Sequence, residues 1–320
     1  MSENEEPTLQ APIEFDAAEP APAEPATYDH ALEATPWRGV VAIVLLLAAM
    51  FFFSFVLGAI AYAFEFLTGG MSFDDPDSLV AITPSVLLSS NLALAALIPL
   101  SMLLQRWLFG VPVRYLFSVT GAFRWRWFGR LALIIVPVWA VYIGVSFFLE
   151  PSGELRIDGS VIALLAVIVL TTPLQAAGEE FGFRGLVQRS VGSWFRNPIA
   201  AFIVSTVISG AAFGIAHFAA DPWLIAYYFL FGVSASIAAR FTGGLEAPVL
   251  VHVVNNVFIF VLAALFGQLD AGIDRSEGAG GPFVLLPIAM VLGAAALSAW
   301  WARRNGVAVR APRPLARPVR

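Results

Sequence analysis

The feature that most constrains this chain is a recurring run of about 20 apolar residues. Each run is long enough to cross the hydrocarbon core of a bilayer as a helix. Along the 320 residues, eight spans are predicted: 39–66, 86–108, 129–149, 160–178, 199–219, 223–241, 247–267 and 282–302. Hydrocarbon offers no water to a bare peptide group, so such spans fold as helices. Charged residues are 13% of the chain, against roughly a quarter in a soluble protein. The expected fold is all-α: a polytopic transmembrane bundle of about eight spans, filling residues 37–302.

Charge placement sets the expected orientation. With the N-terminus in the cytoplasm, 16 arginines fall on the cytoplasmic side and only Arg156 and Arg275 on the other. That bias follows the positive-inside rule and places both termini in the cytoplasm. The opposite loops are acidic, with Asp74, Asp75, Asp77, Glu154, Asp158, Asp221, Asp270, Asp274 and Glu277 among them. Residues 1–36 carry nine acidic residues before Arg38, the first basic one, and are rich in Ala and Pro. Such a segment buries too little apolar surface to offset the entropy of ordering, so it reads as a disordered acidic tail with His30 as a solvated member. Residues 303–320 read as a basic, proline-rich tail lying on anionic lipid. Residues 186–197 read as an amphipathic continuation of the fourth helix at the cytoplasmic interface.

There is no cysteine and no lysine. Thiol nucleophiles, thiolate metal sites and Schiff-base lysines are therefore excluded. The Gly69-Gly70, Gly243-Gly244 and Gly280-Gly281 pairs lie in turns rather than at a strand–helix junction, so no nucleotide-binding loop or nucleic-acid partner is expected. The partners expected are the lipid bilayer and a membrane-associated peptide or protein.

Three charges interrupt the apolar pattern in Gly178-Glu179-Glu180-Phe181-Gly182-Phe183-Arg184-Gly185. Ionisable groups at membrane depth are costly and mark function by default. Glu180 and Arg184 are four residues apart with the acid first, the favourable order for a helical ion pair. Glu179 points about 100° away and is left to face a cavity. Downstream, His217 closes Phe213-Gly214-Ile215-Ala216-His217, and His252 and Asn256 share one face of the seventh span.

Two chemistries suit this set. Glu179, His217 and His252 form a His/His/Glu ligand set for a catalytic Zn2+ with an open water position. Without metal, Glu179 with His217 would take a proton from water, while His252 and Asn256 would donate to the developing oxyanion. Either version hydrolyses an acyl bond. No Gly-x-Ser-x-Gly elbow, His-Glu-x-x-His helix or aspartyl dyad within the spans offers another route.

The ordered motifs Glu179-Glu180-x-x-x-Arg184, Phe213-x-x-x-His217 and His252-x-x-x-Asn256 resemble the CPBP intramembrane proteases. That family contains the type II CAAX prenyl endopeptidases and the bacteriocin-processing or immunity (Abi) proteins. The resemblance covers about residues 160–260. It implies an intramembrane endopeptidase acting on membrane-associated substrates, with roles for Glu179, His217, His252 and Asn256 in activating water or holding metal. Members differ in whether they need a metal. A catalytically silent scaffold or bacteriocin-immunity protein is the alternative reading. A proton-relaying transporter is a third, but the chain shows no inverted repeat. The lysine-free composition suggests a bacterial cell membrane.

One geometric problem is visible in advance. A fourth span ending at 178 leaves Glu179 near the cytoplasmic surface. His217 lies about 28 Å along the fifth span, at 1.5 Å per residue. A kink at Pro173 or a late entry of the fifth helix is expected to close the gap, with the site in the cytoplasmic half of the bilayer.

Overall fold

Proline opens four of the spanning helices and a flexible turn closes several. Pro36, Pro84, Pro198 and Pro222 stand in the first turn of α1 (Pro36–Thr68), α2 (Pro84–Ala95), α7 (Pro198–Ile215) and α8 (Pro222–Thr242). There the missing N–H costs nothing and the fixed φ suits the helix. The remaining helices are α3 (Leu97–Phe109), α4 (Trp125–Leu149), α5 (Gly159–Glu180), α6 (Arg189–Gly192), α9 (Glu246–Leu265) and α10 (Leu285–Arg304). These coordinates are a computed structural model that describes residues 25–32, 35–149 and 153–311. Among them are eight helical segments long and apolar enough to cross a membrane, as expected. The chain is an all-α, multi-pass membrane protein.

The fourth span is longer than its hydropathy suggests. α5 does not end at the charges but runs on through a π-helical stretch, Phe181–Gln188, into α6. The result is one rod from Gly159 to Gly192. Residues 186–192 continue the helix as expected but are not an exposed amphipathic stretch. They are buried, Arg189 and Ser190 included.

Glycine lets this rod sit deep in the bundle. A Cβ on Gly178 would collide with the Leu94 carbonyl oxygen of α2, and one on Gly192 with the Asp29 carbonyl oxygen. Small residues at such crossings let helix backbones approach closely. Asn91 of α2 donates to the hydroxyls of Thr171 and Thr172 on α5, at 2.8 and 3.0 Å, and fixes the same crossing. At the start of the rod, Asp158 caps α5 by accepting from the Val161 N–H at 3.0 Å. That bond holds the Asp158 carboxyl below its ordinary range.

The terminal segments correct the sequence reading. Ala26–Thr27 (β1) pairs antiparallel with Arg310–Ala311 (β2), so the two ends of the described chain lie on one side. Tyr28, Asp29, His30, Ala31 and Leu32 are buried, not solvated. The Tyr28 hydroxyl donates to the Leu116 carbonyl, and the Arg189 guanidinium lies 4.8 Å from the Tyr28 ring centre. Asp29 pairs with Arg240 at 2.6 Å. The His30 imidazole meets the Phe195 carbonyl at 2.8 Å. A short aromatic and acidic sequence thus finds its cations inside the bundle, which offsets the cost of ordering it. The rest of the acidic tail, and residues 312–320 of the basic one, lie outside the described residues.

Candidate active site

The continued rod removes the depth problem. Thirteen residues of helix follow Glu179 through Gly192, about 20 Å at 1.5 Å per residue. Glu179 is therefore deep within the bundle and not at its surface. A π-helical turn within an α-helix is uncommon and often marks a functional site. Here it begins directly after Glu179-Glu180 and carries Arg184.

Glu180 and Arg184 are fully buried and pair at 3.0 Å. Glu180 does more than clamp the arginine, because its Oε1 also meets His252 Nδ1 at 2.7 Å. The other ring nitrogen, His252 Nε2, lies 3.1 Å from Glu179 Oε2. Arg184 stacks its guanidinium 4.4 Å from the Phe213 ring centre. His252 is thus gripped between two carboxylates on one helix. A carboxylate accepts and does not donate, so both imidazole nitrogens face acceptors.

The helix bearing His252 is itself fixed at its start. Glu246, in the first turn of α9, receives the Arg124 Nε and Nη2 groups at 2.8 and 2.7 Å. A paired arginine fork of this kind sets geometry as well as energy. Asn255 and Asn256 follow His252 on the same helix. Trp139 of α4 donates to Asn255 Oδ1 at 3.4 Å, and Asn255 Nδ2 donates to the Tyr227 hydroxyl and to Asn256 Oδ1.

His217 stands just past the end of α7. Phe218 follows with φ of 51°, a left-handed conformation that stops the helix and is rare outside glycine. His217 Nδ1 lies 2.7 Å from the Phe213 carbonyl. A carbonyl only accepts, so Nδ1 carries the proton and Nε2 keeps its lone pair. The ring lies against Tyr228 of α8, with centres 3.9 Å apart.

Glu179, His217, His252 and Asn256 all line one cavity of about 530 Å³. Glu180 and Arg184 stand behind it as support. The cavity also takes in Ile82, Ile273 and Arg275, which belong to connections on the side opposite β1 and β2. It therefore extends from Glu179 toward the end of the bundle away from the termini. A volume of this size is that of an ordinary ligand pocket.

Gln175 was not anticipated. It lies one turn before Glu179, donates to Glu179 Oε2 at 2.8 Å and accepts from Asn256 Nδ2 at 3.2 Å. Its i,i+4 spacing from Glu179 was readable, but an uncharged residue drew no attention. Tyr227, Tyr228 and Asn255 went unnoticed for the same reason.

The three expected zinc ligands, Glu179, His217 and His252, all line this cavity. Among the described residues no three His, Asp or Glu side chains group so as to hold a metal ion. Both ring nitrogens of His252 meet carboxylates, Glu179 and Glu180. His217 Nε2 and the Glu179 carboxylate face the cavity, the latter also bonded to Gln175 and His252.

Residues 160–258 match the family model for type II CAAX prenyl endopeptidase Rce1-like proteins. This bears out the resemblance on the stretch where the motifs placed it. The chain is 25% identical over 291 residues to the uncharacterized protein YyaK of Bacillus subtilis (strain 168), covering 85% of this chain and 94% of that protein. It is 33% identical over 88 residues to the membrane-embedded CAAX protease MroQ of Staphylococcus aureus (strain USA300), covering 27% of this chain and 35% of MroQ. No solved structure matches the chain. The family match supports intramembrane protease chemistry.

Proposed function

We propose that this chain is an intramembrane endopeptidase that hydrolyses peptide bonds of membrane-associated substrates without a metal ion. The observation that carries the reading is the meeting of Glu179, His217, His252 and Asn256 on one cavity deep in the bundle. The match of residues 160–258 and the printed name of the staphylococcal relative support the same class of reaction.

In this reading Glu179 and the lone pair on His217 Nε2 act on one water. Glu179 takes its proton as the oxygen attacks the scissile carbonyl carbon. The tetrahedral oxyanion then accepts from Asn256. Gln175 uses one N–H of the Asn256 amide, which fixes its plane and leaves the second for the oxyanion. His252 is held between the Glu179 and Glu180 carboxylates beside this site. Preorganised donors of this kind contribute more in a dry cavity than in water. Collapse breaks the C–N bond, and the proton held by Glu179 passes to the leaving amine. The products are a carboxylic acid, which keeps the second proton of the water until it ionises, and an amine.

Access follows from the cavity. A peptide would enter from the side opposite the termini, which is the outer face if the arginine bias sets orientation. The bacterial source of both relatives fits a bacterial cell membrane.

The test is hydrolysis of a quenched fluorogenic membrane peptide by protein reconstituted in liposomes. Wild type should cut it, while Glu179→Gln, His217→Ala and His252→Ala should each lose most of the rate. Equal cleavage by all four would refute the enzyme reading.

A further inference from the structure

The cavity carries two formally charged side chains besides its histidines, Glu179 at its deep end and Arg275 at its rim. The mechanism above does not use Arg275. No carboxylate among the described residues pairs with it. Its Nε donates to the Tyr228 hydroxyl at 3.3 Å, and Tyr228 lies against the His217 ring. The guanidinium is therefore one aromatic ring beyond the water-activating group.

The loop that presents Arg275 is held in place. The Ala220 N–H donates to the Arg275 carbonyl at 2.9 Å. Asp221 caps α8 with one oxygen, accepting from Trp223 and Leu224, and with the other accepts from the Gly278 N–H at 3.1 Å. A Cβ on Gly280 would collide with Asp221, so the loop closes tightly on that cap. Asp274 is turned to Ser276, accepting from its N–H at 2.9 Å and its hydroxyl at 2.7 Å. Most other lining groups near the rim are apolar, among them Phe51, Phe218 and Ile273.

We infer that Arg275 is a substrate anchor that binds a carboxylate of the peptide being cut. A guanidinium with two unclaimed Nη groups matches a carboxylate in geometry and charge. The apolar walls would take the side chains between that carboxylate and the scissile bond. Specificity would then come from a fixed distance between an acidic group and the bond at Glu179.

This inference rests on the peptidase reading, but its test reads binding. The probes are three fluorescein-labelled apolar hexapeptides. The first has a free C-terminus, the second the same sequence with a C-terminal amide, and the third an amide with Asp in last place. Each is titrated onto the Glu179→Gln protein in phosphatidylcholine nanodiscs, with Arg275 intact or changed to Gln. At least one carboxylate peptide should bind about 10- to 100-fold more tightly than the plain amide, the range of a charged hydrogen bond. The free-end and Asp peptides tell which carboxylate is read. Arg275→Gln should abolish that preference and leave the affinity for the amide peptide unchanged. Arg275→Lys should keep part of it. Three equal affinities, or a preference that survives Arg275→Gln, would overturn the inference. A carboxylate preference in a protein whose wild type cuts none of the peptides would instead refute the peptidase reading and leave this assignment standing.

Discussion

The Gln175 amide nitrogen donates to Glu179 Oε2 at 2.8 Å, one helical turn away. Its carbonyl oxygen accepts from Asn256 on α9. One neutral side chain therefore ties the proposed base to the proposed oxyanion donor. Gln175→Leu keeps the size and removes both bonds. It should lower kcat by roughly 10- to 100-fold with little change in KM, as expected for an interaction that matters most in the transition state. A matched rise in KM at constant kcat would place Gln175 in substrate binding instead.

The buried Glu180–Arg184 pair makes a stability prediction. Both side chains are fully buried. Arg184→Met leaves Glu180 with His252 alone and should cost about 3–5 kcal/mol, the usual penalty for stranding one member of a buried pair. Glu180→Leu combined with Arg184→Met should cost less than Arg184→Met alone. Thermal unfolding in detergent measures both. A double variant less stable than the single one would show that the pair is not the seat of the loss.

The terminal clamp makes another. Tyr28 is fully buried and bonds the Leu116 carbonyl. Tyr28→Ala should destabilise by about 3–5 kcal/mol, as for other large aromatic truncations. Tyr28→Phe should cost about 1 kcal/mol, the share of one hydrogen bond. Equal Tm values for Tyr28→Ala and wild type would show that this segment does not contribute to the fold.

Orientation can be read directly, because the chain has no cysteine of its own. Glu277→Cys and Asn305→Cys place single thiols on exposed positions at opposite ends of the bundle. A membrane-impermeant maleimide added to intact cells should label position 277 and leave 305 unlabelled. The reverse result would invert the orientation drawn from the arginines.

These outcomes bear on how much the sequence made legible. The eight spans were readable because twenty apolar residues in a row have few other uses. The Glu180–Arg184 pair was readable from i,i+4 spacing. The length of the fourth span was not. Charges at 179–184 lowered local hydropathy and resembled a helix end, whereas Glu180 and Arg184 pair with each other inside the bundle. Tyr28 and Asp29 were not legible because composition averaged over 36 residues hides the three, Thr27, Tyr28 and Asp29, that meet Arg189 and Arg240. Gln175 was missed because its partner, Asn256, is 81 residues away. The sequence offered His252 to a metal, but the fold gives it two carboxylates.

The central claim is that Glu179 activates water without a metal ion. It is tested most directly by the turnover of a quenched membrane peptide by chelator-dialysed protein, with metal content measured on the same sample. Metal-free wild type should retain its rate, and Glu179→Gln should lose at least about 100-fold of it, the lower range for a general base. Activity that disappears on dialysis and returns with added zinc, or a Glu179→Gln protein that turns over like wild type, would contradict the account.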